Sequence, residues 1–436
     1  MRSALRCFFL VLGLGCTRAP GSVPVPTSEP VEPLSFHQDI DELAQRLRDL
    51  HPRTFKYLTE ADFDALLVET KAGLTPETSE REFLWAFRRV VASVACGHTR
   101  TDYFGREDAL IRPSERFPVD VRWVNGGLYV IDPLESSGLV AAGSQILAIN
   151  GVDVSELMSA IYDRIEADAF IPHYKRAFFN AYATGMLTYA AGFPETYRVR
   201  VTDRAEDITL TPLTSFRYRP LVSPEDPCQS AWCFRFEGDV AVLTVRSFDI
   251  SGGRVEAYQT FIDDAFSKIR SRPASALVVD VRGNFGGAGL AANYLLRHIA
   301  DKPYRYWKDA PDGNEFLFRE QTPHPGAFAG PAYILVDGGT QSSVGHFIVL
   351  AKYNGFAEIV GESSGSTFIV NDSKQRFEST HHRVSYTVAT ETYEVAVDGY
   401  SETEGVSPDT PIRRTVDGWI GGKDTQLAAL LERLAR

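Results

Sequence analysis

Cysteine and positive charge are both scarce in this chain. Its 436 residues include five cysteines, which excludes a fold held together mainly by disulfides, as small exported domains often are. Two of them, Cys228 and Cys233, have four residues between them and suit a local disulfide if the protein is exported. The 45 Lys and Arg are outnumbered by 57 Asp and Glu, for a net charge of −12. Because no broad basic surface is available to attract phosphate backbones, we predict no nucleic-acid partner.

Long apolar runs and metal-binding patterns are also missing. No stretch reaches 18 uninterrupted apolar residues, so no transmembrane helix is predicted. The histidines and cysteines show no spacing such as HExxH or CxxC, and we predict neither a metal nor a cofactor. What remains is an ordinary globular composition, with 44% apolar residues and a length that suggests two or three domains.

The N terminus has the pattern of an export signal. Arg2 and Arg6 precede a short apolar run, and residues 1–15 are predicted to be a signal peptide of the lipoprotein type. The segment that ends at Cys16 resembles a bacterial lipobox, which implies that Cys16 becomes the lipid-bearing first residue of the mature protein. The alternative is a signal peptide that is cut elsewhere. Residues 17–34 are rich in proline and predict an extended tether, so we expect an exported protein that its N-terminal lipid anchors to a bacterial membrane.

Two changes of pattern divide the rest of the chain into three parts. Apolar residues at three- and four-residue spacing predict an N-terminal helical module over 35–105. Short alternating strands predict a second domain over 106–222. Over 223–436, buried apolar strands alternate with helical patterns, which predicts an α/β core with a largely parallel sheet and a closing helix at 419–436. The fold class is therefore α/β, and α+β multidomain overall.

Three segments hold residue types that hydrolytic chemistry needs. The glycines after Asp280 could bring backbone N–H groups close to a developing negative charge, although a strand-to-helix turn needs the same glycines. Ser342 and Ser343 stand where a buried strand meets a helix, as a nucleophile would, but a serine there is more often a helix cap. His98 follows a predicted helix and could act as a base or cap the helix end. Taken singly, the segments leave both interpretations open.

In combination, these segments resemble the tail-specific or C-terminal processing family of serine peptidases. The similar branch includes the tricorn core and the interphotoreceptor retinoid-binding protein, and the resemblance spans nearly everything after residue 35. The matching segments are, in chain order, Gly-His-Thr at 97–99, LVAAGSQILAINGVDV at 139–154, LVVDVRGNFGG at 277–287, TQSSVGHF at 340–347, AEIVGESSGST at 357–367 and ETEGVSPD at 402–409. The resemblance implies a core like the ββα spiral of the Clp peptidase and the crotonases, with a PDZ-like domain before it.

The resemblance also implies a catalytic triad. Ser343 would be the nucleophile and His98 the general base. Glu402 would hold the imidazolium, and Glu404 is the alternative acid, because residues two apart in a strand share a face. The bacterial processing proteases instead use a Ser–Lys dyad, but Ser366-Thr367 occupies the place of that lysine here. A Ser-His-Glu triad is therefore expected.

Backbone N–H groups complete the implied site. Those of Gly286 or Gly287, together with that of Val344, would form the oxyanion hole. His346 replaces the acid that the family usually has three residues after the nucleophile.

The function that follows is peptide-bond hydrolysis by an exported, membrane-tethered serine peptidase. Its partners would be a peptide or protein substrate, which the PDZ-like domain receives by strand addition, and the membrane. Two alternatives stay open: a non-catalytic ligand- or peptide-binding protein on the same scaffold, and an esterase with a non-peptide substrate. The sequence predicts no oligomeric state.

Overall fold

The computed structural model describes residues 33–219, 227–309 and 315–436. The predicted signal peptide, the anchor candidate Cys16 and most of the predicted tether lie outside these described residues. The first helix begins at Pro33, within the last residues of the range predicted for the tether. None of the helices in the described ranges combines the length and apolar character that a membrane crossing requires.

Helices and strands alternate along most of the described chain. The helices are α1 (Pro33–Leu50), α2 (Glu60–Ala72), α3 (Glu80–Ala92), α4 (Gly105–Ala109), α5 (Val154–Tyr162), α6 (Pro172–Ala190), α7 (Val255–Ser271), α8 (Gly289–Arg297), α9 (Glu315–Phe318), α10 (Ser343–Asn354), α11 (Val416–Ile420) and α12 (Thr425–Leu434). The strands are β1 (Arg100–Thr101), β2 (Asp120–Val124), β3 (Gly127–Asp132), β4 (Gln145–Ile149), β5 (Val152–Asp153), β6 (Arg198–Val201), β7 (Ile208–Thr209), β8 (Trp232–Glu237), β9 (Val240–Val245), β10 (Ala276–Asp280), β11 (Tyr304–Arg305), β12 (Glu320–Gln321), β13 (Ala332–Val336), β14 (Glu358–Gly361), β15 (Ile369–Asp372), β16 (Gln375–Glu378), β17 (Ser385–Val388), β18 (Glu391–Glu394) and β19 (Thr410–Pro411).

The N-terminal module consists of α1, α2 and α3. Ser79 begins α3 with a capping box, in which the Ser79 hydroxyl accepts from the Glu82 N–H and the Glu82 carboxylate accepts from the Ser79 N–H. The apolar faces of the three helices share one core, which Val384, Tyr386 and Val388 complete from the far end of the chain. The module is therefore packed against the C-terminal part of the protein.

A short strand and a buried ion network fix the module in place. Strand β1 pairs antiparallel with β17, so the chain just after α3 is held by the C-terminal region. Arg88 on α3 is completely buried, and its guanidinium bonds Glu107 (3.0 Å) and Glu166 (2.9 Å). Glu166 belongs to the second domain, so this network joins α3 to that domain.

The second domain is an antiparallel sheet with two helices. The strand order is β2-β3-β4-β6-β7, and β5 pairs with β4. Short strands are present as predicted, with a turn at Asn150-Gly151 between β4 and β5, but α6 occupies 19 residues of the range in which strands were predicted. Most of α6 is buried on several sides, so it lacks the one-sided apolar stripe by which an amphipathic helix is predicted.

The C-terminal core is built on a six-stranded sheet in the order β19-β14-β13-β10-β9-β8. Strands β9, β10, β13, β14 and β19 are parallel, as predicted, and β8 is an antiparallel edge. Helices α7, α8 and α10 cover one face, and α12 covers the other through Leu427 and Leu430. The loops that follow β10 and β13 meet at the same edge, where parallel sheets bind ligands.

The closing helix differs from the prediction. Instead of one helix over 419–436, the chain forms α11 and α12, with Gly421 and Gly422 between them. Asp424 begins α12, because its carboxylate accepts from the Leu427 N–H (3.0 Å).

Candidate active site

Ser342 ends the loop after β13 and immediately precedes α10. Its backbone has φ 62° and ψ −132°, a conformation that costs a non-glycine residue of order 1–3 kcal/mol and that recurs at active sites. The Ser342 hydroxyl is 3.0 Å from Nε2 of His98. The sharp turn between strand and helix thus presents this hydroxyl to an imidazole.

The structure brings Ser342 to His98, and not the predicted nucleophile Ser343. Ser343 is the first residue of α10, and its buried hydroxyl has no hydrogen-bond partner among the described residues. The side chains of two adjacent serines at the start of a helix point in different directions, so only one of the two hydroxyls can face the imidazole. This corrects the assignment made from the sequence.

His98 reaches the core because its loop is held on both sides. The Thr387 hydroxyl on β17 donates to the His98 carbonyl oxygen (2.8 Å). On the other side Gly97 packs against Gln341, and a Cβ at Gly97 would lie only 1.8 Å from Gln341 Nε2. His98 Nε2 faces Ser342, while Nδ1 has no partner within the described ranges.

Two aspartates flank His98. Asp372 Oδ2 is 3.5 Å from His98 Nε2, and Asp372 also accepts from Lys374 (2.9 Å). Asp168 is buried, and its two oxygens accept from the Gly97 N–H (2.8 Å) and the Ser366 hydroxyl (2.9 Å). Asp372 therefore lies close to the imidazole, whereas Asp168 contacts the backbone of the preceding residue and acts on His98 through its charge.

Burial and charge have opposite effects on these groups. Burial lowers the pKa of His98, and the carboxylates of Asp372 and Asp168 partly offset that effect. Burial raises the pKa of Asp168, although the charge of His98 and the two hydrogen bonds act to lower it. For Asp372, burial also acts upward, but the charges of His98 and Lys374 outweigh it and lower the pKa. The imidazole is thus neutral at neutral pH, as a general base must be.

The predicted acids Glu402 and Glu404 are not placed beside His98. The Glu402 carboxylate binds Lys56 and lies 3.5 Å from Arg53, and the side chain is 46% exposed. Glu404 is exposed as well. The carboxylate of Glu402 is already paired with lysine and arginine of the loop after α1, which is why it does not face the imidazole.

The glycine segment after β10 lies directly beside Ser342. A Cβ on Gly286 would come within 2.7 Å of Ser342 Cβ and 3.1 Å of Ser342 Oγ, so only glycine allows this approach. Gly286 has φ 95°, and its N–H donates to the Asn284 side chain (2.8 Å). The predicted donor Gly286 is therefore already used.

Gly287 and Ser343 offer the N–H groups that remain. Phe248 bonds the residues on either side of Gly287 in a parallel bridge, so the N–H of Gly287 points away from Phe248. The N–H of the predicted donor Val344 instead donates to the Gln341 carbonyl (3.3 Å). With Ser342 in place of Ser343, the N–H after the nucleophile is that of Ser343.

A cavity of about 440 Å³ opens next to Ser342. It is lined by Gly287, Gly289, Trp307, Leu317, Ser342, Ser343, His346, Val370, Asp372, Ser373, Lys374 and Tyr393. Several buried polar atoms of this region have no partner among the described residues: Ser343 Oγ, Trp307 Nε1 and both ring nitrogens of His346. Burial lowers the pKa of His346 to about 3, so its ring is neutral. The cavity therefore combines aromatic and aliphatic walls with unused hydrogen-bonding groups.

The three cysteines in the described ranges take no part in this chemistry. Cys228 and Cys233 form a disulfide, with Cα atoms 5.6 Å apart. Cys96, two residues before His98, is buried, and burial raises the pKa of its thiol to about 12. A neutral, enclosed thiol is not a nucleophile.

The sequence analysis selected His98 and the glycine segment, and the structure places both beside Ser342, but Asp168 and Asp372 were not selected. These aspartates lie within ordinary stretches, EADAF and IVND, and isolated aspartates in such positions carry no spacing signal. Outside this site, Asp263, His298 and His324 form a group that could hold a metal ion.

Comparisons with known proteins find one family model and several similar folds. Residues 239–412 match the model of peptidase family S41. No curated protein sequence matches the chain. The fold is similar to that of mature CPAF complexed with lactacystin, at 14% identity and a TM-score of 0.61, over 92% of this chain and 98% of that one. A second structure of mature CPAF matches equally well, over 92% and 97% of the two chains. The photosystem II D1 C-terminal processing protease is matched at 15% identity and a TM-score of 0.41, over 90% and 98%.

Proposed function

We propose that the chain carries a serine-peptidase core of family S41 and hydrolyses peptide bonds with Ser342 as nucleophile and His98 as general base. The observation that carries this proposal is the 3.0 Å distance between His98 Nε2 and Ser342 Oγ, at a strained turn on the ligand-binding edge of the sheet. The finer architecture that we propose is a ββα-spiral core over 223–436, preceded by a helical module over 35–105 and a PDZ-like domain over 106–222.

The reaction follows from this geometry. Ser342 Oγ attacks the carbonyl carbon of the scissile bond while its proton passes to His98 Nε2. When the tetrahedral intermediate collapses, the C–N bond breaks and His98 returns the proton to the leaving amine, which leaves an ester on Ser342. Water, deprotonated by His98, then hydrolyses the ester and restores both side chains.

We assign the oxyanion hole to the N–H groups of Gly287 and Ser343. Gly287 lines the cavity beside Ser342, and its N–H is not used by the parallel bridge to Phe248. The N–H of Ser343 lies at the start of α10, where the helix dipole also favours negative charge. Loss of one such donor typically costs about 3–4 kcal/mol of transition-state stabilisation.

The two aspartates take the place of the predicted glutamate. When His98 becomes an imidazolium, Asp168 and Asp372 stabilise its charge, and Asp168 also holds the His98 loop through the Gly97 N–H. Asp168 is thus a positioning residue, while Asp372 borders the substrate cavity.

The cavity beside Ser342 would receive a side chain of the substrate. Trp307, Leu317 and Tyr393 provide apolar contact, and the unpartnered Ser343 hydroxyl and His346 nitrogens favour a side chain that also hydrogen-bonds.

The PDZ-like domain would deliver the peptide by adding it as a strand to a sheet edge. Of the two edges, β2 is covered where the Asn180 side chain bonds both the N–H (2.7 Å) and the C=O (3.2 Å) of Trp123. A peptide that adds there must displace Asn180.

Export and membrane anchoring through Cys16 remain part of the proposal. They are supported by the N-terminal pattern of the sequence and by the Cys228–Cys233 disulfide, which suits an oxidising compartment. Mass spectrometry of the mature N terminus tests them: a lipidated Cys16 supports the anchor, and an unmodified N terminus at another residue contradicts it.

Hydrolysis of an unfolded protein such as casein tests the activity. The parent chain should release peptides, and Ser342→Ala should abolish that release without changing the folded state. If the well-folded parent cleaves no peptide or protein but turns over aryl esters, the esterase alternative is correct; if it does neither, it is a binding protein.

A further inference from the structure

Three side chains outside the Ser342 site converge beside the end of α8. They are Asp263 on α7, His298 directly after α8, and His324 in the loop 322–328. One ligand atom from each lies within 4.8 Å of those of the other two. Because 35 residues separate the first pair in sequence, no spacing pattern could reveal the group.

The hydrogen bonds of His298 determine which of its nitrogens carries the proton. The His298 backbone N–H donates to the Leu295 carbonyl, so the Tyr294 carbonyl at the end of α8 is left for the His298 side chain. His298 Nδ1 is 2.9 Å from that carbonyl oxygen. Since a carbonyl only accepts, Nδ1 must carry the hydrogen.

The other ring nitrogen of His298, Nε2, then directs its lone pair toward the carboxylate of Asp263. His298 Nε2 is 3.1 Å from Asp263 Oδ1. His298 is completely buried, and the neutral ring with its hydrogen on Nδ1 presents the lone pair of Nε2 to that carboxylate. A cation between Nε2 and Oδ1 would be bound by both atoms.

We propose that Asp263, His298 and His324 bind one zinc ion, with water completing the coordination. Zinc lies about 2.0–2.2 Å from histidine nitrogen and carboxylate oxygen, so two of its ligand atoms are roughly 3.0–3.5 Å apart, as Nε2 and Oδ1 are here. A ring N–H that donates to a backbone carbonyl is also the usual outer partner of a metal-bound histidine. Tyr294 gives the carboxylate a similar partner, because its hydroxyl donates to Asp263 Oδ1 (2.8 Å).

His324 sits on a loop that the end of α8 holds in place. The His324 N–H donates to the Arg297 carbonyl (2.7 Å), and the Phe328 N–H donates to the His298 carbonyl (2.8 Å). The His324 ring stacks on the His298 ring, with centroids 3.9 Å apart. His324 Nδ1 accepts from the Gly326 N–H (3.2 Å), a bond that is lost when either ring nitrogen binds zinc. His324 is therefore the weakest of the three ligands.

Among the charged groups that act on His324, Asp263 is negative and attracts a cation, whereas Arg270 and Arg297 are positive. Arg270 and Arg297 lie near His324 and oppose a positive ion, but their guanidinium groups bond the carbonyls of Gly326 (3.0 Å) and Thr322 (2.8 Å). The Asp263 side chain is 48% exposed, which gives zinc and its water a path to the site. The bound ion would tie α7, the end of α8 and the 322–328 loop together.

Calorimetric titration of the chain, purified without a histidine tag, with zinc chloride at pH 7.5 tests this site. One zinc should bind per chain and raise the melting temperature. Asp263→Asn, which keeps the shape and removes the charge, and His324→Gln should each weaken binding at least about 100-fold, and Tyr294→Phe about tenfold.

Matched controls separate this site from surface binding. Asp264→Asn changes the adjacent exposed aspartate of α7, and His381→Gln changes an exposed histidine elsewhere, so both should bind zinc like the parent. Absence of zinc binding by the folded parent overturns the proposal, and so does binding that Asp263→Asn and His324→Gln leave unchanged. The measurement does not depend on hydrolysis, so its outcome is independent of the assignment of Ser342.

Discussion

His98 Nε2 lies 3.0 Å from Ser342 Oγ, although 244 residues separate the two in the chain. His98 follows the helical module, and Ser342 follows a central strand of the core. The pair therefore exists only when the module is docked, which β1, β17 and the buried Arg88 network bring about. Catalysis and the docking of the module are thus linked.

Removing Arg88 should strongly destabilise the protein. Arg88→Met leaves Glu107 and Glu166 buried without their counter-charge, which should lower the free energy of unfolding by about 3–5 kcal/mol. Arg89→Met is the control, because Arg89 pairs with the exposed Glu69 and should cost at most about 1 kcal/mol. Urea unfolding of the two variants measures both; equal losses would contradict the role given to Arg88.

Gly286 should be essential because of its contact with Ser342. Gly286→Ala places a Cβ 2.7 Å from Ser342 Cβ and should lower kcat/KM at least about 100-fold by displacing the nucleophile. Gly283→Ala is the control, since Gly283 also has positive φ but would place its Cβ in open space. Both variants place alanine at a positive φ, so equal activities would show that the contact with Ser342 does not matter.

The pH dependence of hydrolysis identifies the carboxylates that act on His98. Removing a negative charge beside an imidazolium lowers the pKa of the imidazole, so Asp372→Asn and Asp168→Asn should move the acidic limb of kcat/KM to lower pH by about one unit. Both should also reduce the maximum rate, because the imidazolium that forms during attack is less stable.

Glu402→Gln is the comparison for these two variants. The Glu402 carboxylate is bound to Lys56, so its neutralisation should leave the acidic limb where it is in the parent. A shift caused by Glu402→Gln and not by the aspartate variants would restore the triad that the sequence resemblance implied.

His346 should destabilise the protein in acid. Its pKa is about 3 in the folded state because of burial, against about 6.5 when unfolded, so below pH 6.5 the unfolded chain binds a proton that the folded chain does not. The stability present above pH 6.5 is lost as the pH falls toward 3, by about 2 kcal/mol at pH 5. His346→Phe removes this loss. When the pH is lowered from 7.5 to 5, the free energy of unfolding of the variant, measured with urea, should therefore gain about 2 kcal/mol on that of the parent. A pH-independent difference would contradict a buried, neutral His346.

The sequence predicts the parallel core well, because fully buried strands are continuous apolar runs between glycine-rich turns. It does not predict α6, since a helix buried on several sides lacks a periodic pattern. The proposed base His98 could be selected from its motif, but the choice between Ser342 and Ser343 depends on backbone conformation, which two adjacent identical residues do not reveal. Asp168, Asp372 and the Asp263 cluster are brought into place by tertiary contacts alone.

The identity of the nucleophile is tested most directly by labelling with a fluorophosphonate and locating the adduct by tandem mass spectrometry. We expect the phosphonyl group on Ser342, no labelling of Ser342→Ala, and continued labelling of Ser343→Ala. An adduct on Ser343, or no adduct on the folded parent, would contradict it.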